Sequence, residues 1–411
     1  MANRTRAANA NRKVPVTILT GFLGSGKTTL LNHILKDDKH GLRFAIIENE
    51  FGEVGVDESI LQENTNEEVV EVMNGCICCT VRGDLVEALK RLHNKVEQFD
   101  AVLIETTGLA DPAPVAQTFF VDDDIAKMYS LDGICTMVDA KHITQHLDEV
   151  KPEGVENEAQ EQLAFADRII LNKIDLIYSD DAIADKEGEL QKIEARIRAL
   201  NGAAQLFRSE RSKVDPTNLL NIEAFKLDRV LEMDPEFLNT DGEHQHDDTV
   251  SSCSTKFAGE VNMSKLEDYI RSLIGNMESA MNLFRYKGVL AIRGMKQKFV
   301  FQGVHMIFSG NFSDEHTWKD GEERHCKFVF IGRNLDKAAL IKGFEDCVAE
   351  DKLRFSVGDE VQANVGKWVD GVILEHWVEG NPYKIKLTGK GGKGDKVFAP
   401  MDTDTYVRAR Q

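Results

Sequence analysis

The 411-residue sequence lacks any apolar run approaching the roughly 18 residues that cross a bilayer, which argues against a membrane role. Met1 to Lys13 lacks the apolar centre of a secretory signal. It carries Arg4, Arg6, Arg12 and Lys13 with no acid, and reads as a disordered basic tail, with a short organellar transit peptide as the alternative. A cytoplasmic protein is the expectation. Basic residues are in short supply: 50 Lys and Arg stand against 69 Asp and Glu, a formal charge of −19 that repels nucleic acid and anionic lipid. No nucleic-acid partner is expected. Cysteine is also sparse. The chain has seven, and Cys76, Cys78 and Cys79 sit within four positions, which is not the spacing of a secreted disulfide framework.

With 42% hydrophobic and 29% charged residues the chain is of ordinary globular composition, and its length suggests two or three domains of about 100 to 200 residues. Val14 to Thr20 is a β-branched apolar run that leads into Gly21-Phe-Leu-Gly24-Ser25-Gly26-Lys27-Thr28-Thr29 and then the helical pattern Leu30, Leu31, Ile34, Leu35. Strand, glycine loop and helix in that order make a phosphate cradle. Backbone N–H groups curl around phosphate oxygens, Lys27 reaches the terminal phosphates, and Thr28 can hold Mg²⁺. Gly21, Gly24, Ser25, Gly26, Lys27, Thr28 and Thr29 are therefore the expected nucleotide-binding residues.

Ala101 to Glu105 reads as a buried parallel strand ending on an acid that can order Mg²⁺ or its water, unless it only caps the next helix. Gly108 could then offer its N–H to a γ-phosphate, which makes the following loop a switch. A third strand, Arg168 to Leu171, delivers Asn172-Lys173-Ile174-Asp175. A carboxylate at Asp175 accepts from guanine N1–H and the 2-amino group, a donor pair adenine does not present, so GTP is expected over ATP. Further strands at Phe44–Ile47, Ile134–Val138 and Gln205–Phe207 alternate with helical stretches at 85–96 and 188–200. The fold class that follows is α/β, a P-loop parallel sheet with helices on both faces.

Between these phosphate-facing segments lie Glu48-Asn-Glu-Phe-Gly-Glu53 and Cys76-Ile-Cys78-Cys79. Three sulfurs so close can supply most of a tetrahedral zinc site, with a carboxylate such as Glu48 or Glu53, a water or a partner group as the fourth ligand, while Mg²⁺ and Ca²⁺ reject thiolate. Copper(I) and cobalt(II) also suit the donors. A redox pair, Cys76 with Cys79, and buried structural cysteines are the competing readings.

Taken together, the glycine loop, Glu48–Glu53, Cys76–Cys79, Glu105-Thr-Thr-Gly-Leu-Ala-Asp-Pro112 and Asn172–Asp175 resemble the CobW-type metallochaperone GTPases. The resemblance runs from about Val14 to Cys347 if Phe284–Gly288 and Phe328–Gly332 are counted as that family's carboxyl-terminal domain. It implies a slow GTPase that binds zinc, or in some members cobalt, at the cysteine motif and passes it to a client metalloprotein. Eukaryotic zinc members of the family look for a methionine aminopeptidase through an amino-terminal Cys-Pro motif. No cysteine precedes Cys76 here. Leu109 follows Gly108 where a signalling GTPase carries a water-orienting Gln, so slow turnover is expected.

The expected division is a basic tail (1–13), a GTPase domain (14–226), an acidic linker (227–254), an α+β domain (255–350) and a small SH3-like or Tudor-like β-barrel (351–411). In the linker, His244 and His246 read either as auxiliary metal ligands or as part of a solvated acidic loop. Scattered His305, His316, His325 and Cys326 read as structural. Trp368, Trp377 and Tyr383 read either as a groove for a protein partner of the barrel or as barrel core.

Overall fold

The computed structural model describes residues 13–48, 68–71, 80–108, 110–151, 157–226, 250–275, 282–389 and 392–410. Compact packing divides the chain into two units, the first built on residues up to Arg229 and the second mainly on residues from Cys253 onward.

The first unit is a seven-stranded sheet in the order β3-β2-β4-β1-β5-β6-β7. Its strands are β1 (Val14–Gly21), β2 (Phe44–Glu48), β3 (Glu68–Glu71), β4 (Ala101–Glu105), β5 (Tyr129–Asp139), β6 (Arg168–Asn172) and β7 (Gln205–Arg208). Every pairing is parallel. Strands β1, β4, β5 and β6 are buried along nearly their whole length because helices cover both faces, so they show no alternation. The intervening helices are α1 (Lys27–Lys36), α2 (Thr80–His93), α3 (Ala113–Val121), α4 (Asp123–Met128), α5 (Ile143–Leu147), α6 (Glu158–Phe165), α7 (Ile174–Tyr178) and α8 (Lys186–Leu200). Leu30, Leu31 and Ile34 of α1 close one core with Leu19, Ile46, Leu103 and Ile170.

Register decides what the carboxyl ends of the strands bring together. Leu19 pairs with Glu105, Glu105 with Glu48, Gly21 with Met137, and Asp139 with Asn172. The glycine loop, the Glu105 segment and the Asn172 segment thus emerge at one edge of one sheet. Two strand expectations differ from the observed elements. β5 begins at Tyr129, five residues before Ile134, and β3 is an additional edge strand whose flanking glutamates hide it in the sequence.

The second unit holds two antiparallel sheets. One has the order β11-β10-β9-β12-β8, with β8 (Val250–Ala258), β9 (Leu283–Ala291), β10 (Gln297–Val304), β11 (Ile307–Thr317) and β12 (His325–Arg333). Helices α9 (Met263–Gly275) and α10 (Lys337–Glu345) pack on it around Tyr286, Phe301, Phe328, Phe330 and Phe344. The sequence suggests one strand over Lys298–Phe308. The chain instead turns at His305, which adopts φ 50, and returns as β11. Apolar residues on both sides of His305 mask this hairpin. Strand β8 likewise starts inside the segment expected to be linker.

The other sheet runs β16-β15-β14-β13-β17, all antiparallel, through β13 (Glu360–Asn364), β14 (Trp368–Val378), β15 (Asn381–Leu387), β16 (Lys396–Ala399) and β17 (Val407–Ala409). It has its own core of Val361, Ile373, Tyr383, Ile385, Leu387 and Val407. No described helix is long and apolar enough to cross a membrane.

Candidate nucleotide and metal site

At the end of β1 the backbone turns through Gly21 (φ 136), Gly24 (φ 76) and Gly26 (φ 109). A Cβ on Gly21 would lie 2.2 Å from the Met137 carbonyl oxygen, and one on Gly26 would lie 2.6 Å from Asn172 Nδ2 and 2.7 Å from Ser212 Oγ. Sterics as well as φ therefore demand glycine at both. Lys27, the first residue of α1, curls back so that Nζ donates to the carbonyls of Gly21 (2.8 Å) and Phe22 (3.3 Å). Its ammonium stands at the mouth of the loop. Next to it, Thr28 Oγ1 donates to Glu105 Oε1 at 3.0 Å, across 77 residues of sequence. A hydroxyl and a carboxylate meeting at the head of a phosphate loop are hard oxygen donors of the kind Mg²⁺ takes.

The segment after β4 lies on the same loop. The Thr106 N–H donates to the Leu19 carbonyl at 2.9 Å, and Thr106 Oγ1 to Thr20 Oγ1 at 3.0 Å. Gly108 follows so close to the loop that a Cβ there would lie 2.6 Å from the Leu23 nitrogen. From the opposite side Gln162 of α6 donates Nε2 to the carbonyls of Gly108 and Ala110, both at 3.1 Å.

The segment at the end of β6 supplies a tie. Asn172 Nδ2 donates to the Ser25 carbonyl (2.9 Å) and Ser212 Oγ (3.0 Å), while its Oδ1 accepts from the Ser212 N–H (2.8 Å). Ser212 Oγ in turn donates to the Gly26 carbonyl at 3.1 Å. Asn172 therefore fastens the glycine loop to the loop after β7. Lys173, with φ 62, caps α7 and pairs with Asp139 at 2.7 Å. Burial pushes the Asp139 carboxyl up, but hydrogen bonds from Lys173 and His142 outweigh it and hold the group below its ordinary value. Asp175 Oδ1, Ser25 Oγ and Thr107 Oγ1 are buried and have no hydrogen-bond partner among the described residues. Buried polar atoms are normally satisfied, so unpartnered atoms in the glycine loop, after β4 and after β6 are open to a ligand. A cavity of about 250 Å³ is walled by Phe22, Leu23, Asp139, His146 and Lys173. Phe22 stacks on His146 with ring centroids 3.8 Å apart.

Residues 15–206 match the CobW/HypB/UreG nucleotide-binding domain, and residues 250–348 match the cobalamin synthesis protein cobW C-terminal domain. The chain belongs to the CobW family. The zinc chaperone YjiA of Escherichia coli is 36% identical over 336 residues, covering 80% of this chain and 98% of that protein. The zinc-regulated GTPase metalloprotein activator 1 of Saccharomyces cerevisiae is 30% identical over 372 residues, covering 80% and 82%. The crystal structure of Zn(II)-bound YjiA GTPase from E. coli superposes with a TM-score of 0.64 at 32% identity, covering 82% of this chain and all of that one.

Metal binding is expected at the cysteine motif. Cys76, Cys78, Cys79 and Glu53 lie outside the described residues, as do His244 and His246. The backbone of Glu48 ends β2 in register with Glu105. Among the described residues no group of three or more His, Cys, Asp or Glu gathers to hold a metal. The described cysteines Cys135, Cys253, Cys326 and Cys347 are buried and free. Burial pushes Cys326 to about 12 and Cys347 to about 11, so both are neutral thiols at ordinary pH.

The aromatic residues of the last sheet sit in different surroundings. Tyr383 is fully buried and its hydroxyl accepts from the Phe355 N–H at 3.0 Å. Trp377 packs under the Arg293 guanidinium at 5.1 Å, and Trp368 under Arg408 at 4.0 Å. Three residues around the nucleotide site escaped the sequence reading: Gln162, Asp139 and Ser212. Asp139 ends β5 and Ser212 follows β7, so strand ends are the available signal. Gln162 sits in a helix and carries none.

Proposed function

We propose that this chain hydrolyses GTP and uses the bound nucleotide to hold and release zinc carried on Cys76, Cys78 and Cys79, delivering it to a client metalloprotein. The observation that carries the reading is the Thr28–Glu105 contact at 3.0 Å beside the Lys27 ammonium, at the mouth of the glycine loop. On GTP binding, Lys27 exchanges the Gly21 and Phe22 carbonyls for phosphate oxygens, and the loop N–H groups orient the chain of phosphates. Thr28 and Glu105 are the residues that would hold Mg²⁺, which when bound neutralises charge on the phosphate oxygens. Asp175 accepts the guanine N–H donors, with Asn172 and Lys173 shaping the wall beside it. Gly108 meets the γ-phosphate with its backbone. Leu109 offers no group to orient water, and slow turnover follows.

Zinc is the cargo. Soft thiolates select it over Mg²⁺, and the relatives above are named for zinc. The cysteines lie in chain order between Glu48–Glu53 and Glu105–Gly108, so a nucleotide that draws these segments together tightens the metal site, and hydrolysis loosens it. The test is zinc affinity of the full chain in the presence of a non-hydrolysable GTP analogue and of GDP, with a triple Ser variant at Cys76, Cys78 and Cys79 as control. Tighter zinc with the analogue, lost in the triple variant, is expected. Equal affinities in both nucleotide states would end the coupling.

A further inference from the structure

The loop after β4 is held from two sides. On one, Gly108 stands against the backbone of Leu23, with space for no side chain. On the other, Gln162, only 2% exposed, spends its amide on the carbonyls of Gly108 and Ala110. The clamp is itself anchored. The Gln162 carbonyl accepts from Thr136 Oγ1 of β5 at 2.8 Å, and Asn201 Nδ2 ties down the carbonyls of Leu163 and Ala166 at the end of α6 (2.7 and 3.0 Å). A primary amide delivers two donors without a charge, which suits two carbonyls in a buried place; an ionised carboxylate of the same length delivers none.

From this geometry we infer that Gln162 is a positioning residue for the γ-phosphate-facing loop: by fixing two carbonyls two residues apart, it holds the backbone of Gly108 at the phosphate loop. The inference rests on the GTP reading of the site. It goes beyond that reading by assigning the loop's restraint to a side chain on α6, away from the phosphates. Two neutral hydrogen bonds, each worth about two- to tenfold in an equilibrium, are strong enough to bias the loop and weak enough to let it go. GDP has no γ-phosphate for the loop to meet. Loosening the clamp therefore weakens GTP selectively.

The experiment uses the full-length protein with Mg²⁺ and two variants. Gln162→Met keeps the volume and removes both donors, and Gln162→Glu sets a carboxylate against two carbonyls. Dissociation constants for a non-hydrolysable GTP analogue and for GDP are measured together with kcat and KM for GTP, and the melting temperature with GDP reports folding. For Gln162→Met the expected result is an analogue affinity about tenfold weaker, a GDP affinity within about twofold of wild type, and a reduced kcat. Gln162→Glu is expected to show a larger loss; if it does not fold, the Met variant carries the test. Equal weakening of both nucleotides would make Gln162 a fold support only and overturn the inference, as would no change in either. A wild-type protein that does not bind the analogue overturns the GTP reading itself, and this inference with it.

Discussion

At the scale of single residues, the site is a set of atoms that cannot be exchanged without collision or loss of charge. Gly26 combines φ 109 with neighbours 2.6 and 2.7 Å from any Cβ. Gly26→Ala is expected to cost about 1–3 kcal/mol, seen as a lower denaturation midpoint, together with loss of nucleotide binding. Glu105→Gln keeps the shape but removes the charge facing Thr28, and single-turnover GTP hydrolysis is expected to fall by about 10²- to 10³-fold. Asp175→Asn replaces two acceptors with one acceptor and one donor. Because xanthine carries an oxygen where guanine carries the 2-amino group, the variant is expected to lose GTP and gain xanthosine triphosphate in a competition assay. If it retains GTP at wild-type affinity, Asp175 does not read the base. These residues were legible in the sequence because each belongs to a short motif whose chemistry is local. The role of Asn172 was not, since its partners Ser25 and Ser212 lie 147 and 40 residues away.

At the scale of elements, the stability of the nucleotide edge depends on how helices are tied behind it. Asn201 closes α8 and reaches across to α6 with Nδ2, while its Oδ1 accepts from the Ala203 and Ala204 N–H groups at 3.1 and 3.0 Å. It is 1% exposed. Asn201→Ala leaves several buried groups unpaired and is expected to cost about 2–4 kcal/mol in chemical denaturation. A weaker tie joins α8 to β7: Arg208 donates to Glu187 at 2.8 and 2.9 Å and holds that carboxyl down to about 2, against an ordinary 4.5. A depressed carboxyl stabilises the fold above its unfolded value and loses that contribution as pH falls from about 4.5 toward 2. The melting-temperature gap between wild type and Glu187→Gln is therefore expected to be present at pH 7 and to shrink toward pH 3. A gap that does not change with pH would show that the bridge contributes through packing instead. Elements with a strong period or a buried run, such as β1, β4, β6 and α1, were readable in advance. The hairpin β10–β11 was not, because His305 alone interrupts the apolar residues Val304, Met306, Ile307 and Phe308 across its turn.

At the scale of the molecule, every residue placed at the nucleotide edge falls between Val14 and Asp215, while the last sheet, from Glu360 to Ala409, has its own core. A chain ending at Ala349 is expected to bind GTP within about twofold of the full protein, as a separately cored module allows. Its second unit is expected to melt earlier, because Trp377 no longer covers Arg293. A loss of GTP binding in that truncation would show that the last sheet serves the nucleotide site directly.

The sequence by itself determined the phosphate loop, the acid at the end of β4, the base motif and the clustered thiols, because these chemistries are written in contiguous residues with fixed spacing. The tertiary structure alone decided that Thr28 meets Glu105, that Gly108 lies against Leu23, and that Gln162 grips the loop from a helix with no motif of its own. Parallel strand register is the physical reason. It aligns the ends of β1, β4 and β6 at one edge, and no local pattern can report which distant residues that alignment will bring within hydrogen-bond reach.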